Sequence, residues 1–158
     1  MRDARVARAT TRLQELPGQE LFQWLDDDGE VRRVESDDVN AYIRDAAGDD
    51  FSAKDFRTWA GTVLAAWALQ ELGEHASKAQ AKRQVVEAVE SVARHLGNTS
   101  AVCRRCYVHP EVLSAHLDGE LLNTLGQRAE ETLAGALDEL SPAEAAVLAF
   151  LRRRIAQA

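Results

Sequence analysis

The chain has 158 residues, of which 46% are hydrophobic and 28% charged, and its formal net charge is −7. This length suits one ordinary domain with a buried core, and the hydrophobic share excludes a wholly disordered chain. Two cysteines are too few for a disulfide scaffold. The sequence holds no uncharged apolar run long enough for a membrane span, and its N-terminus does not open as a secretion signal.

The charge is distributed unevenly along the chain. Residues 26–50 carry a net charge of −7, whereas residues 51–110 carry +3. The negative total argues against a nucleic-acid protein, because phosphate groups repel acidic surfaces. The basic middle is the one segment that phosphate favours electrostatically.

The first third of the chain predicts a helix followed by a hairpin. Apolar residues at helical spacing predict a helix over residues 3–16, which a Pro-Gly pair ends. Residues 20–25 and 31–34 are interpreted as two short strands, because the turn signal of residues 26–29 separates them.

From Ser36 onward the sequence predicts helices. Ser36 is expected to cap a helix that ends at Gly48, and Ser52 a longer one that continues to about Leu72. The larger apolar residues of that longer helix are expected to share one face. They are Phe56, Trp59, Ala60, Val63, Leu64 and Trp67.

Further helices are expected after residue 76. One is predicted from Ser77 to Leu96 with Gly97 as its C′ residue, and a short one, capped by Asn98 or Thr99, ends at residue 106. His-Pro at 109–110 breaks the chain, and Ser-Pro-Ala-Glu at 141–144 is a well-formed start for a last helix. The fold class is therefore expected to be mainly α with a short N-terminal β-hairpin.

Cys103 and Cys106 have the spacing of a redox or zinc pair. Zinc needs two more ligands, and His95 and His109 do not form a usual second pair. A thioredoxin-like site needs a preceding strand, which these surroundings do not predict. We therefore interpret the pair as structural. The four histidines are interpreted as exposed or helix-terminal, and the acidic run at residues 26–28 as a solvated turn.

Two segments point to a specific chemistry. The first contains KDFRTW at residues 54–59, and the second reads LGNTSAVCRRCYVHP at residues 96–110. Together they resemble the C-terminal catalytic segment of the bacterial branch of type IB DNA topoisomerases. LPGQELF at 16–22 and VNAY at 39–42 resemble that family too, so the similarity covers about residues 10–120. The resemblance implies a helical catalytic domain of the topoisomerase IB and tyrosine recombinase type over residues 1–118. Residues 119–158 would form a helical tail packed on it.

The resemblance implies transesterification, in which a tyrosine hydroxyl attacks a DNA phosphodiester and forms a 3′-phosphotyrosyl link. No metal, ATP or other cofactor is needed, because the covalent link conserves the bond energy. Tyr107 would be the nucleophile, Arg57 a clamp on the phosphoryl oxygens, and Asn98 a hydrogen-bond donor to a non-bridging oxygen. Without the resemblance, these would be a packing residue, a surface charge and a helix cap. Expected contacts to the DNA backbone are Lys54, Thr99, Arg104 and Arg105.

The sequence departs from the family pattern at three points. The family uses a further upstream arginine and a general-acid lysine on a hairpin, but this chain has no lysine before Lys54 and no Gly-Lys pair. Ser100 also stands where the family has proline. We therefore expect the chain to resemble the last part of such an enzyme, whose N-terminal portion would be a partner. Alone it should relax supercoiled DNA poorly, because losing a general acid costs about 10²–10⁴-fold.

Two other functions remain open. A tyrosine recombinase would share the fold but prefers His-x-x-Arg where this chain has Lys54 and Arg57. A non-catalytic DNA-binding module would also explain the absent lysine, although it would not need the tyrosine. In every case the expected partner is double-stranded DNA, and the expected protein is a monomer of the cytoplasm, associated with the nucleoid and not with a membrane.

Overall fold

The computed structural model describes residues 4–15, 20, 22–125 and 140–156. It divides into two compact units, Met1–Ala53 and Lys54–Ala158. Helices make up most of the described chain, and a two-stranded antiparallel sheet is its β-structure. The prediction of a mainly α fold with a short N-terminal hairpin is therefore confirmed.

The first unit contains α1 (Ala4–Gln14), β1 (Gln23–Leu25), β2 (Val31–Arg33) and α2 (Ser36–Ala47). The two strands form the hairpin that the turn signal between them predicted, and they pair antiparallel with Gln23 opposite Arg33. Asp26 fixes this turn, because its carboxylate accepts the Glu30 N–H at 2.9 Å and the Arg32 Nε–H at 2.8 Å. These bonds, led by the Arg32 contact, lower the pKa of Asp26. The predicted end of α1 near residue 16 lies outside the described residues.

The start of α2 differs from the prediction by one residue. Glu35, and not Ser36, is the N-cap residue, and the Asp38 carboxylate accepts the Glu35 N–H at 2.8 Å. A carboxylate in the first turn can serve this end of a helix as well as a serine, because it meets the unpaired N–H groups and the positive end of the dipole. Gly48 ends the helix as predicted.

The second unit consists of helices that bury one hydrophobic core. They are α3 (Ala53–Leu72), whose first residue is the last of unit one, α4 (Lys78–Leu96), α5 (Ser100–Cys106), α6 (Pro110–Leu117) and α7 (Pro142–Ala156). Helix α4 packs against α5 and α6, and α6 packs against α7. Phe150 of α7, Leu69 of α3, Val85 of α4 and Val112 of α6 are almost fully buried in this core.

The caps predicted for this unit agree with the structure. Ser77 caps α4, Gly97 ends it in the left-handed conformation with φ of 66°, and Thr99 caps α5. Ser141 caps α7, where its hydroxyl accepts the Glu144 N–H at 3.3 Å and the Glu144 carboxylate accepts the Ser141 N–H at 3.0 Å. The prediction that His109-Pro110 breaks the chain is incomplete, because these residues also begin α6.

The predicted buried face of α3 is confirmed in part, because Trp59, Val63 and Leu64 are half-buried and pack against the core. Phe56 and Trp67 are 55% and 53% exposed, whereas the buried residues of this helix are Gly61, Thr62, Ala65, Ala66 and Leu69. A stripe of small residues is buried because backbone from the α5–α6 junction approaches α3 closely at Gly61. Trp59 is half-buried, and its indole N–H donates to Glu144 at 3.3 Å.

Candidate active site

Arg57 of α3 reaches across to the C-terminal end of α4. Its Nη2 atom donates a hydrogen bond of 2.8 Å to the Leu96 carbonyl oxygen. Its guanidinium carbon lies 5.2 Å from the centre of the Tyr107 ring, which is within cation–π range. The residue is exposed, and the bond to Leu96 uses one of its five N–H donors. A cation on α3 is thus held beside a phenol that lies 50 residues further along the chain.

Asn98 reaches the same carbonyl from the other side of the α4 terminus. Because Gly97 takes a left-handed conformation, the chain turns back and the Asn98 backbone N–H donates to Ala93 at 2.9 Å. The Asn98 side-chain amide then donates to the Leu96 carbonyl at 3.0 Å. One oxygen atom therefore accepts hydrogen bonds from both a guanidinium and a carboxamide. Donors from two distant segments converge on a single point.

Tyr107 is the C-cap residue of α5 and is half-buried. Its backbone N–H donates to Cys103 at 2.9 Å. Its backbone carbonyl lies against Gly61, where a Cβ atom on that residue would come closer to the oxygen than any real Cβ contact. Glycine at this position therefore permits the close approach of α3 to the Tyr107 backbone.

Two threonines of α3 also hold the segment around Tyr107, and the sequence reasoning missed them. The Thr58 hydroxyl is shared between the carbonyls of Lys54 at 2.9 Å and Cys106 at 3.3 Å. The buried Thr62 hydroxyl donates to Thr58 at 2.7 Å and accepts the His109 N–H at 3.1 Å. The sequence contains a pattern that could have indicated this role. Residues 58, 61 and 62 lie three and four positions apart, so they share one helical face within the segment that resembles the family.

The structure thus brings Arg57, Asn98 and Tyr107 together in one unit. The four residues expected at the DNA backbone, Lys54, Thr99, Arg104 and Arg105, are all exposed. Lys54 precedes Arg57 by three positions on α3, whereas the two arginines lie in the last turn of α5. The Thr99 hydroxyl caps α5, because it accepts the Val102 N–H at 3.3 Å.

Both cysteines are free thiols on α5, Cys103 buried and Cys106 half-buried. Burial raises the pKa of the Cys103 thiol, and the positive charge of Arg57 opposes this rise. Among the described residues, no group of three or more His, Cys, Asp and Glu side chains is placed to hold a metal ion. The neighbouring His109 has a structural role, because its Nδ1 atom accepts the Glu111 N–H at 3.3 Å and caps α6.

A second polar cluster is formed by His75, Gln84 and His116. His116 is 2% exposed and shares a hydrogen bond of 3.0 Å with the Gln84 side chain, whose amide donates to Leu72 at 3.1 Å. His75 shares a hydrogen bond of 2.7 Å with the His116 carbonyl. Burial, and then the charge of His75, lower the pKa of His116. These contacts join the end of α3 to α4 and α6.

The chain is a protein of the DNA topoisomerase I class. Residues 2–127 match the sequence family described as the catalytic core of eukaryotic DNA topoisomerase I, and the chain belongs to that family. A curated relative is the DNA topoisomerase 1B of Acanthamoeba polyphaga mimivirus, which is 36% identical over 103 residues. The match covers 61% of this chain and 31% of the mimivirus protein, so the chain spans about a third of that relative. None of the helices that the structure describes is both long and apolar enough to cross a bilayer.

Proposed function

We propose that the chain carries the strand-cleaving chemistry of a type IB topoisomerase, with Tyr107 as nucleophile. The Tyr107 hydroxyl releases its proton to water, and its oxygen attacks the phosphorus of a DNA phosphodiester. The bond from phosphorus to the 5′-oxygen breaks, and that oxygen takes up a proton to leave as a hydroxyl. The 3′-phosphate remains on the tyrosine, and reversal of the same step rejoins the strand after it has swivelled. No cofactor is required, because the number of phosphodiester bonds is conserved.

The observation that carries the proposal is the shared hydrogen bonding at the Leu96 carbonyl. Arg57 and Asn98 both donate to this oxygen, at 2.8 and 3.0 Å, beside the Tyr107 ring. A pentacoordinate phosphorane places negative charge on its non-bridging oxygens, which require donors of this kind. A DNA phosphate oxygen that took the place of the carbonyl would receive both donors with small side-chain movements. Arginine suits the role because it stays charged and forks two donors.

Double-stranded DNA is the proposed partner. Residues 51–110 carry a net charge of +3 within a chain of net charge −7, and this segment supplies all of the proposed contacts. Lys54, Arg104 and Arg105 are exposed and would pair with phosphates flanking the cleaved bond. Thr99 would contribute its backbone and hydroxyl at the α5 start. Such contacts release counterions, so binding would weaken as salt rises. We further propose a monomer of the bacterial type that acts at the nucleoid in the cytoplasm.

The proposal includes a slow reaction for this polypeptide by itself. No lysine precedes Lys54 among these 158 residues, so they do not by themselves supply the general acid that the family pattern places upstream. Unassisted departure of the 5′-oxygen would slow cleavage by about 10²–10⁴-fold. The catalytic portion would be residues 1–118, with residues 119–158 as a helical tail. The N-terminal portion of the same enzyme would restore the rate.

A suicide substrate tests the proposal. A duplex nicked close to the cleavage site loses its short 5′-hydroxyl strand after attack, so the covalent adduct accumulates even from a slow enzyme. Tyr107→Phe should abolish the adduct, and Tyr42→Phe is the matched control because these are the two tyrosines of the chain. Tyr42 is 73% exposed, so its loss should leave the adduct unchanged. Salt-sensitive binding without any adduct would instead indicate a non-catalytic DNA-binding module, and strand exchange between two duplexes a recombinase.

A further inference from the structure

Two thiols lie one helical turn apart immediately before Tyr107. Cys103 is fully buried, whereas Cys106 is half-buried and is the last residue of α5. Neither is part of the chemistry described above. Both are free, and no metal-binding group of three or more ligands surrounds them among the described residues. The proposed cleavage chemistry therefore gives these two thiols no role.

The geometry of a helix brings such a pair close to disulfide distance. Residues i and i+3 have Cα atoms about 5 Å apart, which lies within the range of real disulfides. Their Cβ atoms are about 5–6 Å apart and must approach by roughly 1–2 Å to bond. Cys106 can make this movement, because the helix ends there and Tyr107 has already left helical geometry at φ −127° and ψ 0°.

We propose that Cys103 and Cys106 form a reversible disulfide when a hydroperoxide oxidises the protein, and that this closure displaces Tyr107. The half-buried Cys106 sulfur attacks the peroxide oxygen, which gives a sulfenic acid and releases water or an alcohol. The Cys103 sulfur then attacks the sulfenic sulfur, a second water leaves, and the S–S bond forms. The peroxide is reduced by two electrons, which the two thiols supply. A dithiol reductant reverses the oxidation.

The burial of the two thiols sets the order of these steps. An oxidant in solution reaches Cys106, whereas Cys103 is enclosed by the core. The raised pKa of Cys103, which results first from burial, makes it a slow primary target but leaves it available to a sulfenic acid one turn away. Cys106 is therefore the oxidised residue and Cys103 the resolving one.

Three backbone contacts connect the disulfide to the nucleophile. The Cys106 carbonyl accepts the Thr58 hydroxyl at 3.3 Å, and the Tyr107 N–H donates to Cys103 at 2.9 Å. The next carbonyl, that of Tyr107, is packed against Gly61. Drawing Cys106 toward Cys103 strains all three contacts and shifts the phenol relative to Arg57. A misplacement of about 1 Å at a reacting group can slow a reaction by about 10²-fold.

Thiol counting tests the disulfide without any DNA. The full chain is treated with hydrogen peroxide, unfolded in guanidinium chloride so that both thiols are accessible, labelled with N-ethylmaleimide and weighed intact, before and after dithiothreitol. We expect the oxidised protein to carry no maleimide and to weigh two hydrogen atoms less than the reduced protein. Dithiothreitol should restore both labelling sites and the mass. In the Cys103→Ser variant, Cys106 should stop at a sulfenic acid that dimedone traps, whereas Cys106→Ser should keep an unreacted thiol. Sulfinic acid in the wild-type protein, a disulfide between two chains, or no reaction would each overturn the proposal.

The effect on Tyr107 is measured separately, and this part rests on the proposed function. With 3-fluorotyrosine incorporated, the fluorine resonance of Tyr107 should move on oxidation while that of the exposed Tyr42 stays in place. Adduct formation on the suicide substrate should fall by about 10²-fold and recover with dithiothreitol. A disulfide that forms but moves neither signal would refute the switch. If the reduced protein forms no adduct, the proposed function fails, and the mass and fluorine measurements still decide this inference.

Discussion

Replacing Gly61 with alanine should slow strand cleavage strongly but leave the protein folded. A Cβ atom at this position would meet the Tyr107 carbonyl oxygen at an impossible distance, and it would also lie 3.2 Å from the Tyr107 carbonyl carbon and 3.3 Å from Leu96 Cδ1. The Tyr107 backbone would therefore have to retreat by about 1 Å to restore an ordinary carbon–oxygen contact. Both residues it meets belong to the proposed site.

Two opposing effects set the loss of stability. Overpacking a well-packed contact costs about 1–3 kcal/mol, whereas alanine is favoured over glycine in a helix interior by about 1 kcal/mol. The free energy of unfolding should thus fall by at most about 2 kcal/mol, which leaves the protein folded. The displacement of the nucleophile, by contrast, should slow adduct formation by about 10²-fold.

Urea unfolding and single-turnover kinetics on the suicide substrate measure these two quantities. Ala60→Gly is the matched control, because Ala60 is the exposed neighbour on the same helix. It should lower the free energy of unfolding by about 1 kcal/mol without slowing the adduct. If Gly61→Ala and Ala60→Gly slow the adduct equally, the contact with the Tyr107 carbonyl does not position the nucleophile, and the reasoning is refuted.

Three further substitutions test the packing around the site. Thr62→Val leaves the His109 N–H without its acceptor and should cost about 1–3 kcal/mol in urea unfolding, which an unchanged midpoint would disprove. His116 has a lowered pKa in the folded state, so the unfolded chain binds its proton more readily, and stability should fall as pH drops below about 6.5 and level off below the folded pKa. His116→Gln should flatten that part of the stability profile, and a profile as steep as that of the wild type would contradict the assignment. Ser141→Ala removes the cap hydroxyl that Glu144 contacts and should lower the thermal midpoint by an amount equivalent to about 1 kcal/mol, whereas no shift would show the cap to be dispensable.

Local signals predicted most of the elements. Helix caps depend on a few adjacent residues, so Ser77, Gly97 and Ser141 could be assigned from the sequence. The start of α2 was off by one residue, because Glu35 and Asp38 together satisfy the same unpaired N–H groups that Ser36 was expected to serve.

The orientation of α3 could not be predicted from its hydrophobic residues. Hydrophobic periodicity assumes that the largest apolar residues face the core, but Phe56 and Trp67 are exposed. A close approach of two backbones requires a small residue instead, and Gly61 supplies it where α3 meets the Tyr107 backbone. Such an approach depends on where another segment lies, which no local pattern contains.

The candidate site was partly predictable for a similar reason. Arg57, Asn98 and Tyr107 could be predicted as site residues, because the order of residue types in the two motifs resembles that of a known family. The shared hydrogen bonding of Arg57 and Asn98 to the Leu96 carbonyl could not be foreseen, since it requires the α3 face and the α4 terminus to be placed together. The burial of His116 could not be predicted either. Its side chain is buried with a hydrogen bond to Gln84, and no local sequence pattern indicates that these two residues meet.

Mapping the covalent peptide tests the central claim most directly. The suicide-substrate adduct is digested with trypsin, and the peptide that retains the nucleotide is sequenced by mass spectrometry. The account predicts a phosphate ester on the Tyr107 oxygen, joined to the 3′ end of the cleaved strand, and a yield that drops by about 10²–10³-fold in Arg57→Ala. Nucleotide attached to another residue, or an undiminished yield in Arg57→Ala, would contradict it.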